Sequence, residues 1–185
     1  MRIAVYSGSF NPLHIGHLAI MEYLSGGDEF DETYLIVSPK NPLKDSISAG
    51  SGESRYKAAV EAVRRHPGLR VKVDDIELRM ESPHYTIRTL DTLRQREPDN
   101  DFTLIIGADN LQDIHRWKDF RRILSEYGVA VYPRKGYDLD EIRRRLLDES
   151  EAYRIEVIDA PIVDISSTEI REGLRDGKDM SGFLM

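Results

Sequence analysis

The chain has 185 residues, with 26 basic against 33 acidic side chains and a formal net charge of −7, which suits one domain with a sizeable buried core and is short for two. At 40% hydrophobic and 32% charged it reads as globular; no apolar run approaches the ~18 residues of a membrane span, and the start turns polar too early for a signal peptide. The absence of cysteine excludes disulfide frameworks, thiolate metal sites and cysteine nucleophiles and points to a cytoplasmic address, while net acidity argues against a nucleic-acid partner.

In chain order, Arg2 to Ser7 reads as a first strand, apolar on consecutive positions as a sheet buried on both faces requires. It feeds Gly8-Ser9-Phe10-Asn11-Pro12-Leu13-His14-Ile15-Gly16-His17 and a helical stretch ending near Leu24. Thr33 to Ser38 is a second strand, followed by Pro39-Lys40-Asn41-Pro42-Leu43-Lys44 and by Asp45 to Ser54, whose Gly and Ser content predicts a mobile loop. Tyr56, Ala59, Val60 and Val63 recur at helical spacing and predict a buried stripe. Leu69 to Asp74 reads as a third strand, Ile87, Leu90 and Leu93 as a second stripe, and Phe102 to Gly107 as a fourth strand. Val129 to Tyr132, a stripe through Leu139, Ile142 and Leu146, and a strand from Arg154 to Ile158 complete the alternation. The runs Arg64-Arg65, Arg121-Arg122 and Arg143-Arg144-Arg145 read as solvated helix faces, and Lys178 to Met185 as a loose tail. Strand and helix alternate throughout, so the expected fold is α/β, a Rossmann-like parallel sheet with helices on both faces, as one domain over 1–185.

Chemistry concentrates in the loop after the first strand. Gly8 allows close backbone approach or a positive φ, Pro12 stiffens the loop, and N–H groups at the helix start point toward an anion. His14 and His17 lie one turn apart, so both imidazoles can serve one ligand. A metal site there would want further ligands, and the next turn offers only Glu22. A Walker-type loop is excluded, because no Gly-Lys-Ser/Thr follows. Near the other end, Ile165-Ser166-Ser167-Thr168-Glu169-Ile170-Arg171 is both a capping box from Ser166 to Glu169, with Ile170 and Leu174 as a short apolar stripe, and a possible anion cradle.

Gly8, Phe10, Pro12, His14 and His17 match every fixed position of the signature Gly-x-Phe-x-Pro-x-His/Thr-x-x-His, and the chain thereby resembles the nucleotidylyltransferase superfamily. The Ser166 to Arg171 run is similar to that superfamily's Ser-Ser-Thr-x-Ile-Arg motif. Three further segments resemble the bacterial nicotinate-nucleotide adenylyltransferases: Tyr85-Thr86-Ile87-Arg88-Thr89-Leu90, Gly107-Ala108-Asp109-Asn110, and Trp117, the one tryptophan. Phe120 stands where many relatives carry a second Trp, and Arg134-Lys135-Gly136 where many have Arg-Pro-Gly, which puts only the local loop geometry in doubt.

The resemblance implies adenylyl transfer from ATP to nicotinate mononucleotide, releasing pyrophosphate. It implies His14, His17 and Arg171 as catalytic residues. ATP would be bound by these three together with Gly8, Ser9, Phe10, Gly107, Asp109, Ser166, Ser167 and Thr168. Lys44 or Lys40 would meet the acceptor phosphate, Tyr85 and Thr86 would hold the acceptor, and Trp117 would stack on its pyridine ring. Mg2+ is expected on the triphosphate with no dedicated protein ligands. Self-association into a homo-oligomer is left open by the sequence. Two rivals are a phosphopantetheine adenylyltransferase, which typically has Thr in place of His14, and a non-catalytic nucleotide sensor on the same fold.

Overall fold

The computed structural model describes residues 1–39 and 51–185. Six strands, β1 (Arg2–Gly8), β2 (Glu32–Val37), β3 (Val71–Asp74), β4 (Asp101–Gly107), β5 (Val129–Tyr132) and β6 (Ile155–Val157), form one sheet in the order β3-β2-β1-β4-β5-β6. Every pairing is parallel, with Ala4 opposite Thr33 and Val5 opposite Leu104. Each strand is reached through a crossover, which is why the strands read as apolar runs: alternate side chains enter opposite cores. Ile3, Val5, Ile36, Leu104 and Val131 face one core, with Leu90 and Leu93 of α4 (Thr86–Arg96) and Leu146 of α7 (Leu139–Glu149). Ala4, Tyr6, Leu35, Ile105 and Ala130 face the other, with Met21 and Leu24 of α1 (Ile15–Gly26) and Ala59 and Ala62 of α2 (Gly52–Arg64).

The chain order along the sheet reverses between β1 and β4, and the crevice beyond their carboxyl ends is where such sheets bind ligands. Gly8 closes β1 and Gly107 closes β4. Between β3 and α4 lies the one-turn helix α3 (Ile76–Arg79), and after β4 come α5 (Ala108–Gln112), a 3-10 turn at Ile114–Arg116, α6 (Phe120–Arg122) and a π-helical turn at Ile123–Tyr127. The last regular helix is α8 (Ser167–Arg175). Among the described residues, no helix is long and apolar enough to cross a membrane.

Several expectations are corrected. Lys178 to Met185 is not loose: a 3-10 turn spans Ser181–Phe183, Leu184 bridges to His14, and Met180 is buried against Gly173. Val60 and Leu174 are exposed; Tyr56, Ala59 and Val63 of the expected stripe do pack on the core, where Arg55 and Ala62 join them. Ser51 caps α2 by accepting from the Ser54 N–H at 3.1 Å, so the end of the expected loop is already helix; 45–50 lie outside the described residues. Arg122 is no free solvated charge. Its two terminal nitrogens grip Asp91 at 3.0 and 2.9 Å and so fasten α4 to α6. Arg143 likewise donates to the Ile155 carbonyl at 2.8 Å.

Candidate active site

At the carboxyl ends of β1, β4 and β5 opens a cleft of about 430 Å³, the size of a small-molecule site. His14, His17, Asp109, Ser166 and Ser167 line it, together with Tyr6, Tyr132, Arg134 and Lys135.

The loop after β1 sets the imidazoles. His14 is the N-cap of α1, in extended conformation, and its Nδ1 accepts from the Gly16 N–H at 3.1 Å. His17 Nδ1 accepts from the His14 N–H at 3.1 Å. The two rings stack with centroids 3.7 Å apart. With both Nδ1 atoms acting as acceptors, each neutral ring carries its proton on Nε2, the donor left for a ligand. Burial lowers His14 from 6.5 to about 4, with the Arg134 charge adding to it and Glu169 opposing. His17 falls to about 3 through burial, then His14, then Arg134. Both rings are therefore neutral N–H donors at neutral pH. A side chain at Gly16 would collide with the His14 ring, its Cβ 2.9 Å from Cε1.

The other loop residues act from beneath. Phe10 has φ 46 and is buried, its ring edge-on to His17 at 5.1 Å and to Tyr6 at 5.4 Å. A Cβ on Gly8 would sit 3.1 Å from that ring. The Ser9 carbonyl accepts from Arg55 at 2.6 Å, and the same nitrogen donates to the Ser38 carbonyl at 2.8 Å. Arg55 thus ties the ends of β1 and β2 together. No sequence motif marked it; the signal was an arginine on the apolar stripe of α2.

Ser166 caps α8, accepting from the Glu169 N–H at 3.2 Å while its hydroxyl donates to the Glu169 carboxylate at 2.7 Å. Ser167 donates to the Pro12 carbonyl at 2.9 Å, and Arg171 to the Asn11 carbonyl at 2.6 Å and to Thr168 Oγ1 at 3.2 Å. This second motif docks onto the first. Gly8, Ser9, Phe10, Gly107, Thr168 and Arg171 do not line the cleft among the described residues; they surround the groups that do. Asp109, in the first turn of α5, has its carboxylate 3.6 Å from Arg134 Nε.

The acceptor candidates lie elsewhere. Tyr85 is the N-cap of α4 with no side-chain cap bond, Thr86 is the first helical residue, and Trp117 follows the Ile114–Arg116 turn, half-buried against the core. None of the three lines the cleft beside His14 and His17. Lys40 and Lys44 lie outside the described residues. Thr89, the second threonine of the Tyr-Thr segment, is buried and donates to Glu77 at 2.8 Å, a carboxylate that Ser7 also meets at 3.3 Å.

A doubly wound parallel sheet with two neutral imidazoles at a helix start, facing a hydroxyl-lined helix start across its switch point, defines a protein of the nucleotide-binding transferase class. The cytidylyltransferase-like family model matches residues 5–173. A Bacteroides fragilis protein is 40% identical over 183 residues, covering 99% of this chain and 87% of its own. One from Porphyromonas gingivalis is 39% identical over 184 residues, covering 100% and 89%. Both carry the name probable nicotinate-nucleotide adenylyltransferase. The solved Plasmodium falciparum nicotinic acid mononucleotide adenylyltransferase complexed with APC superposes with a TM-score of 0.79 at 17% identity, over 99% of this chain and 90% of that one. At that identity the likeness speaks for the fold. The chain belongs to the cytidylyltransferase-like family and, within it, to the nicotinate-nucleotide adenylyltransferases.

Proposed function

We propose that this protein transfers the adenylyl group of ATP to nicotinate mononucleotide, releasing pyrophosphate and forming nicotinate adenine dinucleotide for NAD biosynthesis. The observation that carries the chemical reading is the His14–His17 pair: neutral, stacked, and with both Nδ1 atoms engaged so that Nε2–H is left for phosphate oxygen. A phosphate oxygen of the acceptor attacks the α-phosphorus in line, and the bond from that phosphorus to the bridging oxygen of pyrophosphate breaks. The nucleophile is already ionised at neutral pH, so the site needs no general base; positioning and stabilisation of charge supply the rate. In this reading His14 and His17 donate to the reacting phosphate, Ser166 and Ser167 shape the wall for the leaving group, and Asp109 accepts from a ribose hydroxyl.

Arg171 has a double part. It holds the Asn11 carbonyl, and hence the histidine loop, in place, and we assign it to the pyrophosphate side of the reaction through that loop. ATP enters as its magnesium complex. Phosphate oxygens and water would carry that ion, with no dedicated protein ligand set assigned to it. Absence of cysteine supports a cytoplasmic address.

Nicotinate is favoured over nicotinamide by the start of α4. No side chain caps that helix, so its first N–H groups are available to a carboxylate, which the helix dipole also favours. Trp117, which follows the Ile114–Arg116 turn, supplies an aromatic face for the ring.

The test is product analysis: purified protein with magnesium and ATP, offered nicotinate mononucleotide, nicotinamide mononucleotide or phosphopantetheine, followed by pyrophosphate release and chromatography. Nicotinate adenine dinucleotide is the expected product. ATP binding without turnover on any acceptor would overturn the reading in favour of a sensor.

A further inference from the structure

The cleft must take a polyanion, yet its best-placed donors are uncharged. His14 and His17 are neutral at working pH. The Arg171 guanidinium is turned to the Asn11 carbonyl and Thr168 and lies outside the lining. Among the described residues that line the cleft, the positive charges are Arg134 and Lys135 alone, set against the carboxylates Asp109, Asp164 and Glu169.

Both cations come from the turn after β5, where Gly136 has φ +87, a left-handed conformation that only glycine takes without strain. That turn sets Arg134 and Lys135 on the rim facing the histidine loop. Neither is firmly held. Arg134 Nε is 3.6 Å from Asp109 Oδ1, beyond hydrogen-bond range. Lys135 Nζ is 3.7 Å from Asp164 Oδ2, with both side chains about 80% exposed, a pair worth little. Arg134 is a half-exposed planar fork over the pocket. Its loose carboxylate contact is one that phosphate can replace with two parallel charge-assisted hydrogen bonds.

We infer that Arg134, with Lys135 beside it, is the cation that binds the triphosphate of ATP across the cleft from His14 and His17, exchanging Asp109 for phosphate as the nucleotide enters. This deepens the adenylyltransferase reading and rests on it for the identity of the ligand. A competing role is that Arg134 only orients Asp109 toward the ribose. The two roles separate when the nucleotide is divided into its parts.

Calorimetric titration of wild type, Arg134→Ala and Arg134→Lys with magnesium tripolyphosphate, and separately with adenosine, makes the test, with thermal melting to show that each variant is folded. Arg134→Ala is expected to lose about 10–100-fold in tripolyphosphate affinity, the scale of a lost charge-assisted contact, with adenosine affinity within about twofold. Arg134→Lys should recover part of the loss, because it keeps the charge without the fork. Unchanged tripolyphosphate binding by Arg134→Ala, or a loss confined to adenosine, overturns the assignment. The function is tested apart from this. A wild-type protein that binds tripolyphosphate through Arg134 yet makes no dinucleotide sinks the transferase reading alone, and full dinucleotide synthesis with no Arg134 effect sinks this assignment alone.

Discussion

Acid should unfold this protein through the two imidazoles of its cleft. His14 and His17 sit at about 4 and about 3 in the folded chain because burial disfavours their charged forms. In the unfolded chain they return to an ordinary value near ~6.5. Below that value the unfolded state binds more protons, so the stability these groups contribute is complete above the unfolded pKa and is lost as pH falls toward the folded ones. At about 1.4 kcal/mol per pKa unit, each ring accounts for about 2 kcal/mol of lost stability between pH 7 and pH 5. Because His17 is partly open to solvent and the rings are coupled by stacking at 3.7 Å, we expect about 3 kcal/mol for the pair, out of a total of about 5–15. Urea unfolding at pH 7, 6 and 5 measures it, comparing wild type with the His14→Asn/His17→Asn double variant. Carboxylates titrate in both proteins and cancel in the difference. Wild type should lose about 3 kcal/mol more than the variant over this range. Parallel stability curves would show that the imidazoles are not held neutral by the fold, and the reasoning would fail.

Two further outcomes follow from the geometry. Gly8→Ala places a Cβ 3.1 Å from the Phe10 ring; since that ring abuts His17, kcat should fall roughly ten- to hundredfold with a small change in Tm, and wild-type turnover would refute the supporting role of Phe10. The kcat/KM for nicotinate mononucleotide should exceed that for nicotinamide mononucleotide by at least ~10²-fold, since an amide leaves an NH₂ group unpaired at the uncapped start of α4; equal efficiencies at saturating magnesium ATP would refute the carboxylate site and leave adenylyl transfer standing.

The sheet was legible because its strands are buried on both faces. Consecutive apolar residues such as Ile3, Ala4 and Val5 alternate between two cores, and the run survives in the sequence whatever packs on it. Ends were less legible: β3 begins at Val71, two positions after Leu69, because pairing with β2 sets its start. The docked tail could not be read from pattern, since a single bridge from Leu184 to His14 and one buried methionine carry no period. Of the residues that line or brace the cleft, His14, His17 and Ser166 stand in legible motifs, whereas Tyr132 and Arg55 carry none, and Arg134, although it opens the Arg134-Lys135-Gly136 turn, had no role assigned from sequence. Their places are set by where β5 ends and where α2 begins in space, which the pattern of the sequence does not show. Arg171 illustrates the converse: its motif was plain, but its hydrogen bond to the Asn11 carbonyl joins segments far apart in the chain and appears only in three dimensions.

The proposed transfer depends on His17 as a neutral donor to the charge that builds up on phosphate. Single-turnover kinetics of His17→Ala, with ATP affinity measured on the same protein, tests it most directly. Loss of one such donor should lower the rate of dinucleotide formation by about 10²–10³-fold while ATP affinity changes only a few-fold. A His17→Ala protein that forms dinucleotide at nearly the wild-type rate would contradict the account.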